Sequence, residues 1–135
     1  MPTAKTYVAL DVGEKRIGVA VAQADVRIAV PLETVQVDGA EVERIAKIIK
    51  LEGASVLVVG YPRNQSGEPT AQTAYVEKFA SQLRGLAPEL VFQDESLTSV
   101  LAEQHLNASR KSYTKGDIDA KAAALILQDY LEQHL

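Results

Sequence analysis

Acids stand at the ends of this chain's strands and helices, in places where a carboxylate has to find a partner. Asp11 closes the stretch Tyr7-Val8-Ala9-Leu10-Asp11-Val12-Gly13, which otherwise reads as a buried central strand. An ionised carboxylate there costs several kcal/mol in desolvation unless a cation, a basic side chain, backbone N–H groups or a metal offsets it, by about the amount known for buried charges. Asp94 and Glu95 end the last short apolar run, and Asp117 and Asp119 open the final helical stretch. If the first and last strands are neighbours, their acidic ends converge and the final helix lays its first turn beside them. Three gathered carboxylates repel one another until a cation sits among them. Oxygen ligands without His or Cys favour Mg²⁺ or Mn²⁺ over zinc. Two such ions can activate a water and stabilise the leaving oxygen in phosphodiester hydrolysis. Each acid also has a plainer role. Asp11 could accept from the amides of Gly13 to Lys15, and Asp94 and Glu95 could be solvated strand ends. Asp117, directly after Gly116, reads better as an N-cap, whereas Asp119 reads as facing the cluster.

Basic and polar loops lie between these acids. Gly60-Tyr61-Pro62-Arg63-Asn64-Gln65-Ser66-Gly67 follows an apolar strand and precedes a helix, the position where mixed sheets gather ligands. Arg63 can grip a phosphate in two-pronged fashion, and Asn64 can bond to sugar or base. A plain solvated turn would have the same composition. Lys15 and Arg16 can hold a phosphate, or Arg16 can pair with a nearby acid. Arg110 and the run Lys111-Ser112-Tyr113-Thr114-Lys115 place an aromatic ring among cations, which suits single-stranded nucleic acid but also describes a basic loop. Neither Gly-rich turn is a Walker loop, since no Gly-Lys-Ser/Thr follows. His105 and His134 have no partners at ligand spacing.

The elements that must position these groups follow from periodicity. Tyr7–Val12 and Arg16–Ala22 read as an antiparallel hairpin, and Val26–Val37 as a third extended stretch in which Pro31 marks an edge or an irregularity. Ala40–Glu52 carries apolar residues at 42, 45, 46, 48, 49 and 51, a helical face ending at Gly53. Ser55–Gly60 is a buried parallel strand, and Thr70–Leu86 an amphipathic helix with Ala74, Val76, Phe79, Ala80 and Leu83 inward. Leu90–Phe92 is a short strand, followed by a helix carrying Val100, Leu101 and Leu106. Asn107–Gly116 reads as a mobile loop, and Ile118–Gln133 as a last helix with Ala122, Leu125, Ile126, Tyr130 and Leu131 inward. A meander followed by alternating helices and strands makes an α/β fold: a five-stranded mixed sheet flanked by helices.

The 135 residues fit one domain with an ordinary globular composition, 47% hydrophobic and 24% charged. Cysteine is absent, which excludes disulfides and thiolate metal sites. No apolar run approaches the ~18 to 20 residues of a membrane span. Met1-Pro2-Thr3-Ala4-Lys5 does not resemble a secretory leader, so a cytoplasmic protein is expected. The net charge of −4 weighs against a nucleic-acid partner, but the basic residues concentrate in loops, so a basic rim on an acidic body is compatible with one.

Four motifs in order closely resemble the YqgF/RuvX family. They are Ala9-Leu10-Asp11-Val12-Gly13 with Lys15-Arg16-Ile17-Gly18-Val19-Ala20; Val59-Gly60-Tyr61-Pro62-Arg63-Asn64; Asp94-Glu95-Ser96-Leu97-Thr98-Ser99; and Lys115-Gly116-Asp117-Ile118-Asp119-Ala120 with Ala122-Ala123-Ala124-Leu125-Ile126-Leu127. The resemblance implies an RNase H-like fold and a bacterial cytoplasmic protein. It further implies a candidate nuclease of the 5′ end of pre-16S rRNA, related to Holliday-junction resolvases. By the same resemblance Asp11, Glu95 and Asp119 would bind Mg²⁺ or Mn²⁺ and carry catalysis. The sequence departs from the family's pattern at Ser96, usually Arg, at Ser99, usually Thr, and at Tyr61, usually Leu. Loss of that arginine removes a cation that would face phosphate or pair with an acid.

Three other functions fit parts of the pattern. A resolvase of four-way DNA would act as a homodimer cutting two strands symmetrically. Nucleotide-binding domains of the actin and sugar-kinase type also open on an Asp-x-Gly hairpin, but they need a second lobe for which this chain has no room. A non-catalytic RNA-binding assembly factor would use the acids structurally.

Overall fold

A computed structural model describes residues 5–62, 68, 70–94 and 115–135. Strands β1 (Thr6–Val12), β2 (Arg16–Gln23) and β3 (Val30–Gln36) form an antiparallel meander. Helix α1 (Glu41–Glu52) leads to β4 (Val56–Tyr61), α2 (Ala71–Leu83) to β5 (Glu89–Asp94), and α3 (Lys115–His134) closes the chain. The five strands lie in the order β3-β2-β1-β4-β5, with β4 parallel to both β1 and β5. The expected five-stranded mixed sheet is therefore present.

Period-2 alternation divides the core into two layers. Val8, Leu10, Val12, Ile17, Val19, Leu57 and Val59 point to the face packed by Ile45, Ile48 and Ile49 of α1 and by Val76, Phe79 and Leu83 of α2. Tyr7, Ala9, Ala20, Ala22, Val56 and Val58 point to the other face, against Ala123, Ala124, Ile126, Leu127 and Leu131 of α3. Alanines stand on both sides of the second layer, Ala9, Ala20 and Ala22 on the sheet and Ala123 and Ala124 on the helix, so the axis of α3 can approach the sheet closely there. The burial in α3 is wider than the expected stripe: Ala123, Ala124 and Leu127 are buried, and Leu125 only partly.

Several boundaries differ from expectation for local reasons. The third strand starts at Val30 because residues 24–27 make the β2–β3 turn, in which the Val26 and Arg27 amides donate to the Gln23 carbonyl and Arg27 takes a left-handed φ of 60°. Pro31 occupies an edge strand beside a register shift between Val19 and Ala20, satisfying both meanings assigned to it. Helix α2 stops at Leu83, with Thr70 outside it as the N-cap. Ala74 is exposed and Thr73 is buried in its place. Leu51 of α1 is likewise exposed, since the buried stripe runs through Ile45, Ile48 and Ile49. Helix α3 begins at Lys115, three residues earlier than expected, which moves Lys115 and Gly116 out of the predicted loop and Asp117 from the cap into the first turn. The helix expected to carry Val100, Leu101 and Leu106, and most of the Asn107–Gly116 loop, lie outside the described residues.

Candidate active site

Asp11 is the next-to-last residue of β1, on the face covered by α3. It is half-buried rather than enclosed, one residue from the end of the strand. Across the ladder it stands opposite Gly18. Directly opposed residues of an antiparallel pair lie roughly 4.5–5.5 Å apart at Cα and face the same side. A Cβ built on Gly18 would lie 1.9 Å from the carbonyl oxygen of Asp119 and 2.8 Å from the amide nitrogen of Ala120. The backbone of α3 therefore rests on Gly18 at Asp119. One glycine brings together residues 11 and 119, from opposite ends of the chain.

On the other side of Asp11 runs β4, where Val59 is the partner of Leu10 and Gly60 is the next residue. Both strands flanking Asp11 thus carry glycine at its level, Gly18 on β2 beneath the α3 backbone and Gly60 on β4.

Arg16 alternates onto the same face as Gly18, Ala20 and Ala22. Its Nε donates to Oδ2 of Asp119 at 2.7 Å, with side-chain exposures of 31% and 22%. Of the two roles open to Arg16 in the sequence, pairing with an acid is the one the structure contains. Among the described residues Arg16 makes no hydrogen bond through its Nη groups, and Asp119 makes none through Oδ1. Lys15 is exposed at the tip of the same hairpin, where its carbonyl accepts from the Val37 amide at 3.0 Å. Gly13 closes that tip, its amide donating to the Arg16 carbonyl at 3.0 Å in a contact so tight that a Cβ would lie 2.7 Å from the same oxygen.

The N-terminus of α2 braces the neighbouring strand ends. Nε2 of Gln72 donates to the Val12 carbonyl at 3.2 Å, and the buried Thr73 hydroxyl donates to the Pro62 carbonyl. Thr70 and Thr73 cap the helix reciprocally. Sequence reading missed Gln72 and Thr73, since a polar side chain in a first turn gives no sign of what it will reach. Gly18 did leave a signal: Gly18, Ala20 and Ala22 alternate with bulky residues in β2, the mark of a strand face that a helix approaches.

The expected convergence of the first and last strands does not occur in the form anticipated. β4 lies between β1 and β5, and its Tyr61 pairs with Asp94, so Asp94 ends two strands away from Asp11. The two acids brought together are Asp11 and Asp119. Glu95, Arg63, Asn64, Arg110 and Lys111 lie outside the described residues, as does the side chain of Lys115. Among the described residues no group of three acids or histidines is placed to hold a metal. The Asp11–Asp119 pair does fit a hard divalent cation by its donors, which are carboxylate oxygens and not imidazole or thiolate groups. Such a cation would supply charge to activate a water and stabilise an oxyanion.

The family model described as RuvX, Holliday junction resolvase, matches residues 5–133. A Chloroflexus aurantiacus protein named "Putative pre-16S rRNA nuclease" is 43% identical over 129 residues, spanning 92% of this chain and 84% of its own. A Shewanella oneidensis protein of the same name is 40% identical over 136 residues, spanning 97% of this chain and 96% of its own. Among solved structures, Thermus thermophilus RuvC in complex with a Holliday junction aligns at TM-score 0.56 and 15% identity, over 96% of this chain and 94% of that one. A fowlpox virus resolvase with junction DNA aligns at TM-score 0.61 and 10% identity, over 96% and 99%. At these identities the structural likeness is one of fold, the RNase H-like fold. With a family match over nearly the whole length and relatives at this identity, the chain belongs to the RuvX family.

Proposed function

We propose that this chain is a divalent-metal-dependent endonuclease that hydrolyses phosphodiester bonds in the 5′-end processing of pre-16S rRNA. The observation that carries this reading is the seating of the Asp119 backbone on Gly18, the ladder partner of Asp11, which brings two acids from opposite ends of the chain to the same end of a mixed sheet. Family membership and the names of the curated relatives supply the reaction class and the substrate.

Asp11 and Asp119 hold the cation, Mg²⁺ or Mn²⁺, together with Glu95, and the three form the catalytic set. The bound ions would supply a nucleophilic water and neutralise the leaving oxygen. The chain's own part is to fix the carboxylates and to bring up the phosphodiester. Lys15 and Arg16 reach the nucleic acid from the β1–β2 hairpin, and Arg63, Asn64, Arg110, Lys111 and Lys115 are the further contacts to the nucleic-acid backbone. Local cations of this kind bind a polyanion even on a protein of net charge −4. We read residues 1–135 as one nuclease domain acting in the cytoplasm; no helix among the described residues is long and apolar enough to cross a membrane.

The test is cleavage of a 16S precursor and of a four-way DNA junction by purified protein with Mg²⁺, Mn²⁺ or chelator. Metal-dependent cutting of the precursor, lost in Asp11→Asn while RNA binding persists, is the expected result. Preferential symmetric cutting of the junction by a homodimer would reassign the substrate to branched DNA, as the family's description has it. No metal-dependent cutting of either would leave a non-catalytic RNA-binding factor.

A further inference from the structure

Asp119 already has a cation beside it, and that cation belongs to the protein. Asp119 sits on helix α3 and Arg16 at the start of β2, separated by 103 residues in the chain, yet Nε and Oδ2 meet at 2.7 Å in a half-buried setting. We propose that Arg16 is an internal counter-ion that keeps the metal site weak in the free protein and releases Asp119 when a substrate phosphate takes over the guanidinium. This inference rests on the assignment of Asp11 and Asp119 as metal ligands.

Two features of the contact support it. First, charge: the guanidinium of Arg16 offsets the negative charge of Asp119. A divalent cation approaching Asp119 meets a guanidinium already on one oxygen and is repelled by it at short range, where such interactions are strongest. Second, geometry: Arg16 uses only Nε for Asp119, and its Nη groups make no hydrogen bond among the described residues. The planar fork favours two parallel bonds to a phosphate over a single bond to a carboxylate oxygen. An arriving phosphodiester therefore offers Arg16 the better partner. In leaving Oδ2, Arg16 frees a metal ligand at the moment a phosphate is present to share the ion. Metal loading and substrate binding become coupled, each strengthening the other as linkage requires.

The experiment is a Mn²⁺ titration, followed by the electron paramagnetic resonance signal of free Mn²⁺, on the wild type, Arg16→Ala and Arg16→Ala/Asp119→Asn, all without nucleic acid. Arg16→Ala is expected to bind Mn²⁺ at least tenfold more tightly than the wild type, and the double variant to lose that gain. In chelator, Arg16→Ala should bind the RNA precursor more weakly, showing that the same residue serves phosphate. Arg16→Lys keeps the charge but not the fork, so its Mn²⁺ affinity should stay near the wild type. Equal or weaker Mn²⁺ binding by Arg16→Ala, with circular dichroism unchanged, would overturn the inference and make Arg16 a positioning residue for Asp119. A gain that survives Asp119→Asn would also overturn it, since the ion would then sit elsewhere. Failure of the nuclease reading is separable: it shows as absent cleavage by every variant, whatever the titrations give.

Discussion

Replacing Gly18 with alanine tests whether this glycine sets the position of Asp119 relative to Asp11, the two acids proposed to hold the metal. The added methyl would lie 1.9 Å from the Asp119 carbonyl oxygen, 2.2 Å from its carbon and 2.8 Å from the Ala120 nitrogen. All three are backbone atoms of α3, so no side chain can rotate away. Side-chain Cβ atoms do not approach other heavy atoms within 3.0 Å, so the start of α3 must move by at least the difference, roughly one ångström. Overpacking of this kind typically costs about 1–3 kcal/mol. The catalytic cost is expected to be larger: displacing a reacting group by about an ångström lowers rates by ~100-fold. The same movement pulls Asp119 from Arg16. Urea unfolding should therefore show a lower midpoint with an unchanged slope, and single-turnover cleavage of the RNA precursor should fall about two orders of magnitude. Wild-type stability together with wild-type cleavage would refute the contact. Lower stability with undiminished cleavage would show that the position of Asp119 is not what the reaction requires.

Other perturbations separate scaffold from chemistry. Thr70→Ala removes the acceptor for the Thr73 amide and should destabilise the fold by about 1 kcal/mol in urea, with Mn²⁺ affinity unchanged. Thr73→Val should cost more, about 1–3 kcal/mol, because it leaves the Pro62 carbonyl just beyond β4 without its hydroxyl donor. Burial first, and then the neighbouring charge of Glu132, raise the pKa of Asp129 above its ordinary 3.8. The folded protein then holds more protons than the unfolded chain in the window just above that value, so stability falls as pH rises through it. Asp129→Asn should therefore be more stable than the wild type at neutral pH, with the gain disappearing at about pH 3, where both states are protonated; urea midpoints at the two pH values decide it.

Much of the fold was legible because it depends on short-range pattern. The period-2 runs of β1, β2 and β4 and the helical spacing of α1 and α2 bury the faces they promise, and Pro31 marks an edge with a register shift. The site was legible in part. The family resemblance grouped Asp11, Glu95 and Asp119, and the structure places Asp11 and Asp119 close to each other, but the route by which these two meet was not legible. Strand order depends on which surfaces fit face to face, and β4 entered between β1 and β5 where proximity of those two had been expected. Arg16 illustrates the same limit, since phosphate and carboxylate present it with similar chemistry and only the seating of α3 chose the carboxylate.

The sequence by itself determined which residues carry charge, which strands and helices form, and which strand faces are lined with small residues. Tertiary structure decided that Gly18, and not a convergence of strand ends, brings Asp119 to Asp11, and that Arg16 supplies the positive charge beside them. The physical reason is range. Periodicity and turn chemistry act over a few residues, whereas the contact between Arg16 and Asp119 spans 103 residues and exists only because a helix finds a glycine-floored groove to rest in.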